Sequence, residues 1–212
     1  MKIITISRQY GSGGNELARL ICDRLGYRYF DKDLMAQLAA ELGVAPETVV
    51  DLSEAQHRAP GFLERLASAL TLPFNEPTEL ELKGKAQAEE QMAFQRFQSL
   101  IDAAYEHGQV VVVGRGGQVV LHGKPDVLHV RVVAPLEQRI QRTQALHGLK
   151  IEEAGEFVAQ RDQAAADYVQ RYYGVDAASP LLYDLVINTE KLTLEAAADL
   201  IITAMNSLPA AG

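Results

Sequence analysis

The feature that most constrains this chain is its opening. A β-branched stretch from Lys2 to Ser7 runs into Gly11-Ser12-Gly13-Gly14 and then into an apolar helical pattern. Alternating Ile and Thr favour a buried strand, and three glycines in four positions forbid its continuation. Asn15 is a good N-cap type for the helix that follows, whose Leu17, Leu20, Ile21 and Leu25 fall on one face before Gly26 stops it. In a strand, glycine loop and helix in this order, backbone N–H groups and the helix dipole point at one place, where an anion is favoured.

The rest of the chain repeats the βα alternation. Short strands are expected at Tyr27 to Phe30, Val110 to Val113, Val127 to Val133 and Leu185 to Asn188. Helices are expected from Lys32 to Leu42, Pro135 to Leu146, Ile151 to about Tyr173, and Leu194 to Ser207. Continuous apolar strands separated by helices imply an α/β fold, a parallel sheet covered by helices on both faces. Between Pro46 and His107 no strand pattern appears, and Pro60-Gly61, Pro73, Pro77 and Gly84 break the helical pieces. The expected organisation is a βα core over 1–45 and 108–212, and a helical insertion over 46–107. At 212 residues and 48% apolar, the chain suffices for one sizeable core with such an elaboration.

The net charge of −8 argues against a nucleic-acid polymer as partner, because such binders carry clustered positive charge. A small anion held by a local arginine cluster is compatible with it. The lone Cys22 has no disulfide partner and reads as a helix-packing thiol. No apolar run approaches a membrane span, so a soluble, cytoplasmic protein is expected, while its oligomeric state is not legible. The five histidines show no metal-ligand spacing, and no G-x-S-x-G elbow supports covalent catalysis.

In parallel α/β sheets ligands bind at the carboxyl ends of strands, and four of these strands end in polar or glycine-rich residues. Ser7 to Asn15 resembles the opening of cytidylate-kinase-like proteins, members of the P-loop nucleoside monophosphate kinases. On the pattern G-x-x-x-x-G-K-[ST], Arg8 takes the first glycine, Gly13 the second, Gly14 the lysine and Asn15 the hydroxyl residue. With the lysine absent, Arg8 and Arg19 are the candidates to supply its charge. Gly114-Arg115 after the third strand resembles the family's Gly-Arg-Asp, with Gly116 in place of the aspartate. Gln160-Arg161-Asp162 resembles the lid's Arg-Asp pair, while Asp167 and Arg171 lie further along the same helix.

The resemblance implies a P-loop NTPase-like fold and ATP-dependent transfer of a phosphoryl group to a nucleoside monophosphate of the CMP or dCMP type, assisted by Mg²⁺. Gly11, Ser12, Gly13, Gly14 and Asn15 would hold the donor phosphates, and Asn188 and Thr189 its adenine side. Arg8, Arg115, Arg161 and Arg171 would act on the transferring group, with a lid around 147–175. Asp31, Arg115, Asp162 and Asp167 would meet the acceptor. Asp31 serves equally well as a helix N-cap. Two other readings stay open: a non-catalytic nucleotide-binding protein, and a small-molecule kinase with a different acceptor.

Overall fold

The computed structural model describes residues 2–30, 34, 94–95 and 97–209. The chain divides into two compact units, residues 1–30 with 101–212 and residues 31–100. The first unit carries a five-stranded sheet in which every pairing is parallel: β1 (Ile3–Arg8), β2 (Arg28–Tyr29), β3 (Val110–Val113), β4 (Val127–Val133) and β5 (Leu185–Asn188), in the order β2-β3-β1-β4-β5. Strands laid down after β1 lie on both sides of it. Connections therefore leave in opposite directions and open a crevice at its carboxyl end.

Side-chain alternation assigns the faces. Ile4, Ile6, Val111, Val113, Leu128, Val130 and Val132 share one core with Leu17, Ala18, Ile21 and Cys22 of α1 (Gly14–Leu25). Ala197, Ala198, Ile201 and Met205 of the last helix, Leu194–Ser207, complete that core. The intervening positions face the other way, where Thr5 and Val112 pack against Gly117 at the start of a one-turn helix, α2 (Gly117–Val120). The central strands are apolar throughout because both faces are covered. Each fully buried Ile, Leu or Val contributes about 1.5–3 kcal/mol of transfer free energy.

Two further helices follow β4. These are α3 (Leu136–His147), closed by the left-handed Gly148, and α4 (Ile151–Tyr173), closed by the left-handed Gly174. They pack on each other, and Leu194–Ser207 is then α5. Among the described residues no helix is long and apolar enough to cross a membrane, and Cys22 is buried in α1.

Boundaries follow the sequence reading closely, with one informative exception. Asn15 does not cap α1. The helix begins at Gly14 with Gly13 as its N-cap at φ 82°, and the Asn15 side chain accepts a hydrogen bond from Arg8 Nε at 3.1 Å. The helix expected over 32–42 and most of the insertion expected over 46–107 lie outside the described residues. Residues 97–107 are helical.

Candidate active site

The glycine loop is held from behind through its carbonyl groups. Gln9 O accepts from Ser12 N at 3.2 Å and from the buried Ser12 hydroxyl at 2.8 Å. Tyr10 O accepts from Arg139 Nη1 at 3.2 Å, and Ser12 O from Thr189 Oγ1 at 2.7 Å. Gly13 O accepts from Leu17 N. Arg142 braces the same strut, donating to Thr189 O at 2.9 Å and Thr189 Oγ1 at 3.0 Å. With these oxygens engaged, the first N–H groups of α1, which have no intrahelical acceptor, are left for the open side. The loop is thereby organised in advance for an anion.

Two glycines are required by this geometry. Gly11, at φ 76°, has its α-carbon so close to α3 that a β-carbon would lie 2.6 Å from Arg139 O. Gly13 takes φ 82° against Leu194. Both conformations are costly for any residue with a side chain.

The loop forms one wall of a cavity of about 580 Å³, within the range of small-molecule sites. Its other walls are Arg142, Thr143 and Leu146 of α3 and the turn Leu192-Thr193-Leu194. The adenine side was expected at Asn188 and Thr189. Instead Thr189 is 1% exposed and ties Ser12 in place, while Asn188 Oδ1 accepts from Glu190 N. The cavity is lined four residues further on.

Arg8 leaves the end of β1 and runs over the start of α1. A β-carbon at Gly14 would lie 2.7 Å from Arg8 Cβ and 3.0 Å from its Cγ, and the guanidinium reaches the backbone of Gly114 at the end of β3. Arg115 stands there between Gly114 and Gly116, and all three residues have left-handed backbone, at φ 72°, 60° and 74°. For arginine this conformation is strained, and Tyr173 Oη anchors it by donating to Arg115 O at 3.2 Å. Burial lowers the pKa of both arginines from the ordinary guanidinium value, and the Arg8 charge adds to the effect on Arg115. Two desolvated cations near one another form a strong attractor for a multiply charged anion.

The same turn explains the missing aspartate. A β-carbon at Gly116 would overlap the ring of Tyr173, so α4 occupies the space a longer residue needs. Burial raises the pKa of that phenol well above its usual value.

Asp162 accepts from Tyr10 N at 2.8 Å and pairs with Arg139 Nη1 at 2.5 Å, so its carboxylate is engaged by the loop and by α3. Arg161 stacks over Phe157 at 4.8 Å and over Tyr10 at 6.0 Å. Arg171 is exposed beside Tyr172, and Asp167 accepts from Gln163. Arg19 lies over the Tyr29 ring on the exposed side of α1. Asp31 lies outside the described residues. The structure thus brings Arg8, Arg115 and the glycine loop together and attaches Asp162 to that loop. The sequence by itself gives no site role to Arg139, Arg142, Tyr10 or Tyr173. The i, i+3 spacing of Arg139 and Arg142 on α3 was their visible signal.

Mg²⁺ has no evident protein ligands here. The Asn15 carbonyl oxygen is turned to Arg8, and among the described residues no three acidic, His or Cys side chains cluster. The loop does not fit a protein-held metal.

Comparisons with known proteins bear on the family and the fold. A relative named uronate isomerase from Corynebacterium glutamicum is 33% identical over 115 residues, 54% of this chain, and the match spans only 22% of that protein. The cytidylate kinase of Ignicoccus hospitalis is 27% identical over 95% of this chain and 97% of its own length. That of Pyrococcus horikoshii is 26% identical over 99% and 91%. An uncharacterized protein from Eubacterium ventriosum has the same fold, with a TM-score of 0.68 at 18% identity over 98% of this chain and 99% of its own. The family described as cytidylate kinase-like matches residues 3–191, and the chain belongs to that family.

Proposed function

We propose that this protein is an ATP-dependent kinase whose acceptor is a nucleoside monophosphate of the CMP or dCMP type. The observation that carries the reading is the glycine loop, its carbonyls tied from behind and the start of α1 left without a side-chain cap beside a cavity of about 580 Å³. Membership in a kinase family and the full-length likeness to two cytidylate kinases support it.

In this reading Gly11, Ser12, Gly13, Gly14 and Asn15 hold the donor phosphates, with the nucleoside between Arg142, Leu146 and Leu192. Asn188 and Thr189 support that pocket from below. Arg115 grips the acceptor phosphate through two parallel hydrogen bonds, which the guanidinium plane allows and an ammonium does not. An acceptor oxygen attacks the γ-phosphorus, the bond from it to the bridging oxygen breaks with its electron pair, and ADP departs. The attacking phosphate oxygen is largely deprotonated at neutral pH, its second pKa being about 6, so the step needs no protein base. Such transfer depends on positioning and electrostatics rather than on a protein nucleophile. Arg161 and Arg171 on α4 would close over the transferring group, Asp31 and Asp167 would orient the acceptor side, and Asp162 would act through the donor loop it holds. Mg²⁺ would be carried by the nucleotide's own phosphates, whose charge it would offset, since this loop supplies no ligand for it. The working location is the cytoplasm, where these nucleotides occur.

One observation favours a different acceptor. Tyr173 seals the place beside Gly116 where the resembling kinases carry an aspartate. Acceptors that lack the group this carboxylate would meet include sugar acids, the class named in the uronate isomerase match. ADP release measured with a panel of nucleoside monophosphates and sugar acids is the test. Turnover with a monophosphate upholds the proposal, and turnover with a sugar acid alone replaces it by the second reading. Tight ATP binding without turnover on any acceptor makes the protein a nucleotide-binding regulator.

A further inference from the structure

Arg8 and Gly14 occupy one corridor. In the pattern G-x-x-x-x-G-K-[ST] the lysine at the seventh position passes over the loop and reaches the β- and γ-phosphates, while the first position is glycine. This chain has the two reversed, with an arginine at the first position and a glycine at the seventh. The distances show why the two exchanges belong together. A β-carbon on residue 14 would lie 2.7 Å from Arg8 Cβ and 3.0 Å from Arg8 Cγ, closer than carbon atoms approach. Its contact with Val132, at 3.5 Å, is ordinary. Gly14 has none of the positive backbone angles seen at Gly11 and Gly13, so Arg8 alone excludes a side chain there.

We propose that Arg8 is the cation of this phosphate site, sent over the loop from β1 in the space that a lysine on α1 would otherwise take, and that Gly14 is glycine to admit it. The assignment rests on the reading of the loop as an ATP site and adds the residue that replaces the lysine. Three features of Arg8 support it. Its stem lies along the loop, and Nε is fixed by Asn15 Oδ1 at 3.1 Å, which leaves the outer nitrogens to a ligand. Among the described residues it forms no ion pair with a carboxylate, so its charge is not consumed by the fold. The guanidinium ends against Gly114, next to Arg115, and so stands between the donor loop and the turn that carries the second arginine. A planar fork there can hold two phosphate oxygens at once.

The test is ATP affinity of the full chain, measured without an acceptor by displacement of a fluorescent ATP analogue, together with thermal unfolding. Arg8→Gln keeps the stem and removes the charge. ATP affinity should fall on the order of thirtyfold, the usual loss of a hydrogen bond to a charged group. Arg8→Lys should lose tenfold or less. Arg8→Gly loses as much as Arg8→Gln, and Arg8→Gly with Gly14→Lys should recover at least a third of the wild-type affinity. Arg8→Ala with Gly14→Lys should recover little, because the alanine β-carbon still fills the corridor.

Wild-type affinity in Arg8→Gln overturns the assignment. So does a folded Arg8→Gly, Gly14→Lys variant that binds ATP no better than Arg8→Gly. If that double variant does not fold, the contrast between Arg8→Gln and Arg8→Lys decides: equal losses overturn the proposal and the unequal losses above uphold it. Arg8-dependent ATP binding in a protein that turns over no acceptor would remove the kinase reading and leave this one standing.

Discussion

Arg139 and Asp162 join α3 to α4 across 2.5 Å, and the same carboxylate accepts the backbone N–H of Tyr10 in the glycine loop at 2.8 Å. The Arg139 side chain is 7% exposed. One aspartate on α4 thus ties the glycine loop to α3. Asp162→Ala strands a buried charge, for which a loss of about 3 kcal/mol in stability is expected. ATP affinity should fall as well, because Tyr10 N–H loses its acceptor. Urea unfolding with and without ATP measures both, and an unchanged midpoint would show the pair to be dispensable.

Gly13→Val tests the loop itself. A side chain at φ 82° is strained, and its β-carbon would lie 3.0 Å from Leu194 Cδ2 while branching toward the anion site. Loss of measurable ATP binding is expected in a protein that still folds at low temperature. Calorimetric titration of the folded variant is the check, and unchanged affinity removes the loop from the donor site.

Arg115→Lys keeps the charge and loses the fork. Losing one bidentate contact should cost on the order of 2 kcal/mol of transition-state stabilisation, roughly thirtyfold in kcat/KM. Folding stability should change little, since lysine meets the same left-handed strain. A lysine variant that unfolds much earlier, yet retains full activity when folded, would make Arg115 structural.

Gly116→Ala and Gly123→Ala separate backbone strain from overlap. Both glycines have positive φ, 74° and 78°, but only the first has a neighbour, the ring of Tyr173, within 4 Å of its missing β-carbon. Gly123→Ala should cost about 1 kcal/mol. Gly116→Ala should cost on the order of 3 kcal/mol, a Tm lower by roughly 6–12 °C for a chain of this size. Equal losses would mean that the tyrosine ring gives way without cost.

His129 predicts an acid limit to stability. Its imidazole is 6% exposed, bonded through Nδ1 to Thr5 Oγ1, and burial lowers its pKa although the charge of Asp184 opposes the shift. The unfolded chain therefore takes up a proton near pH 6.5 that the folded chain refuses. Stability contributed by the neutral ring is complete above that pH and declines as the pH falls below it toward the folded value. Thermal midpoints from pH 7.5 to 5 should fall more steeply for the native chain than for His129→Asn. Parallel profiles would assign the acid sensitivity to other groups.

The strands, their parallel pairing and the glycine loop were determined by the sequence by itself. Runs such as Val110 to Val113 are apolar on both sides of the pleat, and three closely spaced glycines leave the backbone few other paths. The exchange of Arg8 with Gly14 was visible as an absent lysine, but its meaning depended on a distance between two residues on different elements. Tertiary structure alone decided which polar groups face the cavity and which hold it up. Thr189 at the end of a strand reads like a ligand, and proves to be a buried strut for Ser12 because α3 brings Arg142 across it. Asp162 reads like an acceptor contact, and is engaged by Arg139 and Tyr10 once α4 folds back on the loop. Tyr173, 57 residues beyond Gly116, carries no local signal of the contact it makes there. Such contacts join side chains far apart in the chain, and the local periodicity that reveals helices and strands contains no record of them.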